Sequence, residues 1–449
     1  MEREFKDSGI EWIGRIPKEW KISAIKHLMT LYAGATPKSD KDELWDGSIP
    51  WVTPADYKTE DVYVSKGRRN ISVAGLSSCA TTLLPINSII FSKRAPIGLV
   101  VLNNVPLCTN QGCIGCVPYK NKANSKYYYY VLSVFTEQFE LYGSGTTFKE
   151  ISANNFANFI VSVPPLPEQQ RIADYLDKKC GEIDELIALQ EQMIAQLTDY
   201  KQSVITEAVT KGLNPDVELV PSGIDYIGEI PKNWNGCAPL KRFTEIILGK
   251  MLQSNASNDD TLEQYICAKD VHFDGIDYSD LKSMYFSNYE KKQYKVHKGD
   301  MLVVEGGAGA AGSAIVERDI HNVFIQNSIM IVRPLNDFCI KYARYVLFSI
   351  VSRGYVDYIC NKATIPHFTK EKLSGTIIPI PPISEQHAIA TYLDTKCSEI
   401  DSLIAIKQQK IETLKDYKKS VIYEVVTGKM TIEGARADLQ SGRCEYEDL

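Results

Sequence analysis

Glycines and cysteines carry the first chemical signals in this chain. Gly307, Gly309 and Gly312 spell G-x-G-x-x-G within DMLVVEGGAGAAGSAIV, directly after an apolar run that reads as a strand. That is half of a dinucleotide fingerprint; the other half is a helix after the last glycine and an acidic residue about 20 positions on. Here SAIV follows, then ERDIHNVFIQNSIMIVRP, which reads as two more strands, and the expected acidic position holds Val332 beside Arg333. Residues 306–312 are therefore read as a strand–strand loop, where glycine permits close approach to a neighbour or ligand. Cys113 and Cys116 form a lone CxxC among eleven cysteines, and no second pair completes a zinc site. Free thiols of a reducing cytoplasm are expected. The six histidines make no HExxH, and nucleophile-elbow, GxxxxGK[ST] and NPP[YF] motifs are lacking. Asp259 and Asp260 are paired carboxylates in a polar, solvated loop. No catalytic residue, cofactor site or metal site is expected on this chain.

The elements that position these residues come from the bulk pattern. The chain has 449 residues, 44% hydrophobic and 24% charged, as in an ordinary water-soluble globular protein. No apolar run approaches the ~20 residues of a membrane helix, and the charged start MEREFKDSGIEW lacks a secretory core. A cytoplasmic protein is expected. The net charge of −6 argues against a stand-alone nucleic-acid binder, which is usually basic.

The chain says most things twice. PPLPEQQRIADYLDKKCGEIDELIALQEQMIAQLTDYKQSVITEAVT, from Pro164, returns from Pro381 as PPISEQHAIATYLDTKCSEIDSLIAIKQQKIETLKDYKKSVIYEVVT. About 27 of the 43 positions from Glu168 and Glu385 are identical at an offset of 217. SGIEWIGRIPKEW (8–20) likewise returns as SGIDYIGEIPKNW (222–234). Within each repeated segment the apolar residues are spaced by threes, fours and sevens: Ile172, Leu176, Ile183, Ile187, Ile194, Leu197 and Val204, then Ile389, Leu393, Ile400, Ile404, Ile411, Leu414 and Val421. This heptad seam predicts two long helices packed against each other, interrupted at the polar positions Gln190 and Lys407. Each would be roughly 65 Å long at ~1.5 Å per residue.

Between the helices the two halves diverge but keep landmarks. YYYYVLSVF matches YARYVLFSI, and INSIIFSKRAPIGLVVL aligns with the glycine-run segment. Short β-branched runs and an amphipathic helix predict α+β domains, with YYYYV in the core. The predicted organisation is a first domain over 1–163, a helix over 164–212, a second domain over 213–380, a helix over 381–428 and a tail over 429–449.

The duplicated P-P-x-x-E-Q-x-x-I-A-x-Y-L-D segment, with GATP and GSIPWVTPADY near the start, strongly resembles the specificity subunits of type I restriction–modification systems. The resemblance covers essentially the whole chain. It implies an α+β fold with two target-recognition domains separated by two long antiparallel coiled-coil helices, related by an internal pseudo-twofold duplication. Each domain would read one half of a bipartite site in double-stranded DNA. The helices would act as spacer and dock two methyltransferase subunits, and two translocase–nuclease restriction subunits would complete the enzyme. S-adenosylmethionine, ATP and magnesium would sit on those partners. A helix of roughly 65 Å is close to two DNA turns, so a gapped site is expected.

Base edges are read by Arg, Lys, Asn and Gln, and phosphates are held by Lys, Arg and backbone donors. The candidates in the first domain are Lys93, Arg94, Asn110, Gln111, Thr146, Thr147 and Lys149. In the second they are Lys250, Lys291, Lys292, Lys295, Lys298, Gln326, Asn327, Lys362 and His367. Asn110/Gln111 and Gln326/Asn327 recur in both halves, so they equally suit capping of strand ends.

Overall fold

The structure, a computed structural model, describes residues 3–144, 149–257, 260–273, 275–307, 309–360 and 367–431. It has two compact units, one built from Met1–Gln190 with the chain from Gln409 onward, the other from Glu191–Gln408. The long helices Leu166–Lys211 and Ile383–Val426 run antiparallel, and each contributes to both units.

In the first unit a mixed sheet orders its strands as Met29–Ala33, Cys113–Pro118, Ile89–Lys93, Ile97–Asn103 and Tyr63–Val64. Side chains alternate across a strand, and here both faces are covered. Ile89, Phe91, Val100 and Leu102 enter one core; Ile90 and Val101 enter another with Val52, Leu84 and Leu107. A smaller sheet pairs Trp45–Val52 antiparallel with Arg69–Ile71 and parallel with Cys108–Thr109. The second unit repeats this order. Thr244–Leu248, Ile329–Pro334, Met301–Val304 and Ser313–Ile315 form one sheet, and Lys282–Phe286, Thr261–Ile266 and Val323–Ile325 the other. Met301, Val303, Met330 and Val332 face one core, and Leu302, Val304, Ile329 and Ile331 the opposite one.

The helix Ser125–Val134 starts at Asn124, whose side chain accepts from the Tyr127 amide at 3.0 Å. All four tyrosines of YYYYV are buried, as expected of a core segment. The hydroxyls of Tyr127, Tyr128 and Tyr130 find partners, as buried phenols usually do. Tyr127 donates to the Val426 carbonyl at 3.1 Å and Tyr130 to Asp177 at 2.9 Å. In the second unit Tyr342 donates to the Val209 carbonyl at 3.2 Å and Tyr345 to Asp394 at 2.8 Å.

The repeated motif gains a physical reason residue by residue. Its glutamine, Gln169, accepts from the Asn124 amide at 2.9 Å and donates to the Pro164 carbonyl at 3.0 Å; Gln386 does the same with Cys339 and Pro381 at 3.1 and 3.0 Å. Its first aspartate, Asp177 or Asp394, binds Lys126 or Lys341 as well as the tyrosine. Its second aspartate, Asp184, takes Lys418 at 2.7 Å within the first unit, and Asp401 takes Lys201 at 2.7 Å within the second. One helix pairing is thus written twice.

The residues of the expected seam divide by burial. Ile172, Leu176, Ile183, Ile389, Leu393, Ile400, Ile411 and Val421 are buried, whereas Ile187, Ile194, Leu197, Val204, Ile404 and Leu414 are half-buried. The interrupting Gln190 is buried, and its Oε1 has no hydrogen-bond partner among the described residues. Away from the seam, Leu186 and Leu189 in the first unit and Leu403 and Ile406 in the second are about half exposed.

Candidate nucleic-acid interface

The loops between these strands carry most of the candidate residues, and hydrogen bonds gather several of them at one end of each main sheet. In the first unit the strand Ile89–Lys93 ends where the Lys93 amide donates to the Gly112 carbonyl at 2.9 Å. Arg94 then pairs as an antiparallel bridge with Glu150. The Glu150 carboxylate accepts an ion pair from Lys93 at 2.7 Å and from Arg94 at 3.3 Å. The hydrogen bond from Lys93 holds the Glu150 carboxyl below its usual range, against the opposing pull of burial. Lys149 is exposed beside it. Thr146 and Thr147 lie outside the described residues.

The second unit builds the same corner from different residues. The Glu305 amide donates to the Ser328 carbonyl at 2.8 Å, as Lys93 does to Gly112. Gly306 bridges His367, as Arg94 bridges Glu150, and the Phe368 amide donates to the Glu305 carbonyl at 2.6 Å. Glu305 is half-buried, and burial raises its carboxyl above the usual range while His367 pulls the other way. Lys362 lies outside the described residues. After Gly312 the chain continues as the strand Ser313–Ile315, so the glycine run closes a hairpin, with the Val304 amide donating to the Gly312 carbonyl at 2.8 Å. The helix of a dinucleotide site is replaced by a strand.

Asn110 and Gln326 serve the backbone. Asn110 Oδ1 accepts from the Gly112 amide at 2.9 Å, and Gln326 Oε1 from the Ser328 amide at 3.1 Å. Both turns lie hard against a preceding glycine, because a Cβ on Gly34 would sit 2.0 Å from the Asn110 carbonyl and one on Gly249 2.4 Å from that of Gln326. Gln111 is exposed and hydrogen-bonded to Thr36; Asn327 is half-buried and bonded to Gln326. The strand-end capping reading fits these residues.

Other candidates lie elsewhere. Lys250 is a correction to the sequence reading: its side chain is 8% exposed, with the ammonium bound to Glu290 at 2.6 Å and the Tyr285 carbonyl at 2.9 Å. Its ammonium faces those protein groups and little solvent. Lys291 is half-buried and paired with Glu263 at 3.0 Å. Lys298 is exposed in the turn that precedes Met301, and Lys292 shares a groove with Arg333 and Lys370. Arg333 is held by Asp300, so this basic run belongs to the end of the sheet opposite Glu305. Lys295 gives its carbonyl to Arg333. The residues missed from sequence are Glu150 and Glu305. Alignment of the two halves already set Lys93 near an acidic position, but the neighbouring glycines drew the reading.

Cys113 and Cys116 are both buried in one strand, and burial pushes the Cys113 thiol up to about 12. No group of three or more metal-ligating side chains is gathered among the described residues. None of their helices is long and apolar enough to cross a membrane.

Comparison with known proteins fits this geometry. The chain is 27% identical to the MjaIX type I restriction enzyme specificity subunit of Methanocaldococcus jannaschii, over 96% of this chain and 98% of that one. A solved structure concerned with complex assembly and conformational transition of a type I restriction–modification system covers 92% of this chain and 99% of its own, at a TM-score of 0.69 and 16% identity. The HsdS subunit of Thermoanaerobacter tengcongensis superposes at a TM-score of 0.52, also at 16% identity, over 92% of this chain and 98% of that one. The sequence model for the type I restriction modification DNA specificity domain matches residues 17–199 and again 231–416. The chain belongs to that family, as a type I specificity subunit with two target-recognition domains.

Proposed function

We propose that each unit reads one half of a bipartite site in duplex DNA, and that the paired helices set the spacing between the halves and dock two methyltransferase subunits. The observation that carries this reading is the contrast within the duplication. The bonds that attach each domain to the helices are the same twice, as with Gln169 and Gln386 or Asp177 and Asp394, while the loop corners at Arg94 and Gly306 differ in charge and length. A retained frame with altered loops suits changing sequence preference at constant partners. Exposed apolar residues recur at equivalent places, Leu186 and Leu189 in one unit and Leu403 and Ile406 in the other. A patch present twice suits two copies of one partner.

The chain performs no catalysis in this reading. Its partners hold S-adenosylmethionine, ATP and magnesium, restriction subunits join the same assembly, and the complex works in the cytoplasm. Methyltransferase subunits that clamp the duplex would supply much of the counterion release that drives affinity, which accommodates the net charge of −6 on this subunit. The test is replacement of residues 235–380 by those of a relative, followed by methylome sequencing. One half of the methylated sequence should change and the other stay. An unaltered sequence would reduce the chain to a structural tether.

A further inference from the structure

Lys93 and Glu305 occupy the same place in the two units. Lys93 is the last residue of the strand Ile89–Lys93 and Glu305 directly follows the strand Met301–Val304, and each donates its amide to the carbonyl of the adjoining turn, at Gly112 or Ser328. Their cross-loop neighbours match as well, because Arg94 bridges Glu150 and Gly306 bridges His367. The residues at the strand end, however, are opposite in charge. The first unit sets a cation on the strand and a carboxylate on the neighbouring loop; the second sets a carboxylate on the strand and an imidazole on the loop.

An ion pair that merely tied two loops together could stay the same in both copies, as the Lys201–Asp401 and Lys418–Asp184 pairs do. Inversion at one place in an otherwise repeated frame changes the sense of hydrogen bonding offered to a ligand. Among the described residues no hydrogen bond and no ion pair within 4 Å engages the Glu305 carboxylate, and the residue is only half-buried, so the described residues leave its acceptor capacity unused. The major-groove edge of cytosine offers its N4 amino group to a carboxylate, and that of guanine offers O6 and N7 to a cation.

We propose that the position shared by Lys93 and Glu305 is a base-reading position in both units, where Glu305 accepts from a cytosine amino group and Lys93 donates to a guanine. This rests on the reading that the two units contact DNA. In the free subunit Lys93 is held by Glu150, and DNA binding exchanges that partner for the base.

The test is methylome sequencing of cells carrying the full complex with three sets of substitutions: Glu305→Gln, Glu305→Lys with His367→Glu, and Lys93→Glu with Glu150→Lys. Thermal melting of each purified subunit confirms the fold. Glu305→Gln should relax one base position in one half-site, cutting discrimination there by about 5- to 150-fold, and leave the other half intact. Each paired substitution should alter one position in the half-site of its own unit. A normally melting Glu305→Gln subunit that keeps the motif at every position overturns the inference, as does a uniform loss of methylation without any change of motif. If the motif is unaltered but exchange of residues 235–380 still changes a half-site, the inference alone falls. If that exchange changes nothing, the DNA-reading assignment falls with it.

Discussion

Removing one hydroxyl from each of two equivalent tyrosines should have unequal consequences. Tyr127 and Tyr342 are fully buried, and each donates to a carbonyl in the last turn of a long helix, where backbone acceptors have no partner inside the helix. Val426 has a second donor, because the Ser162 hydroxyl also reaches its carbonyl, at 2.7 Å. The second unit has Pro379 at the place of Ser162, and a proline offers no donor. Tyr342 shares its one proton between the Val209 and Pro379 carbonyls, each 3.2 Å away. Phenylalanine keeps the ring and its packing, so the difference is one of hydrogen bonds. Tyr127→Phe loses one net hydrogen bond, about 0.5–1.5 kcal/mol. Tyr342→Phe leaves the carbonyl of buried Val209 without a partner, at about 1–3 kcal/mol. For a unit of this size each kcal/mol corresponds to roughly 2–4 °C of melting temperature. Scanning calorimetry of the full chain should therefore rank Tyr342→Phe below Tyr127→Phe. Combining Tyr127→Phe with Ser162→Ala should cost more than the two singly, because the second loss strands Val426. If Tyr127→Phe is as damaging as Tyr342→Phe, or the double variant is additive, the helix-end account is wrong.

Two further outcomes follow from surface groups. Leu186→Asp with Leu189→Asp should shift stability by no more than about 0.5 kcal/mol, since both residues are about half exposed, yet weaken capture of the methyltransferase subunit in sedimentation; undiminished capture would place the docking face elsewhere. Glu150, its carboxyl held low by the Lys93 hydrogen bond, contributes pairing that is complete above the ordinary glutamate range and lost as the pH falls through and below it. Amide exchange in the described part of 143–151 should accelerate there, relative to a Glu150→Gln control already lacking the charge. Equal acceleration in both would remove Glu150 as the cause.

What was legible from sequence, and what was not, divides along a physical line. The seam could be read because a helix stripe is a local periodicity, and here it is printed twice: Leu176 and Leu393 are both fully buried. The strand–loop–strand character of the glycine run was equally local, since Ser313–Ile315 follows Gly312 directly. Charged side chains were harder, because the fate of an ammonium depends on a partner close in space and often distant along the chain. Lys250 looked like a loop cation, and Glu290, forty residues on, occupies it inside the cap of a short helix. Lys298 stands with Gln326 and His367 among the candidates by residue type, although strand direction carries it to the other end of the sheet from Glu305. A duplicated chain partly offsets this blindness, because register in one copy calibrates the other. Lys93 and Glu305 differ in charge and in the loops that follow them, and strand register, amide hydrogen bonds and cross-loop bridges together make them one position. Where two copies agree in backbone and oppose in charge, a constant structural need does not by itself account for both side chains, which is why substitution at Lys93 and Glu305 discriminates between a tie and a reader.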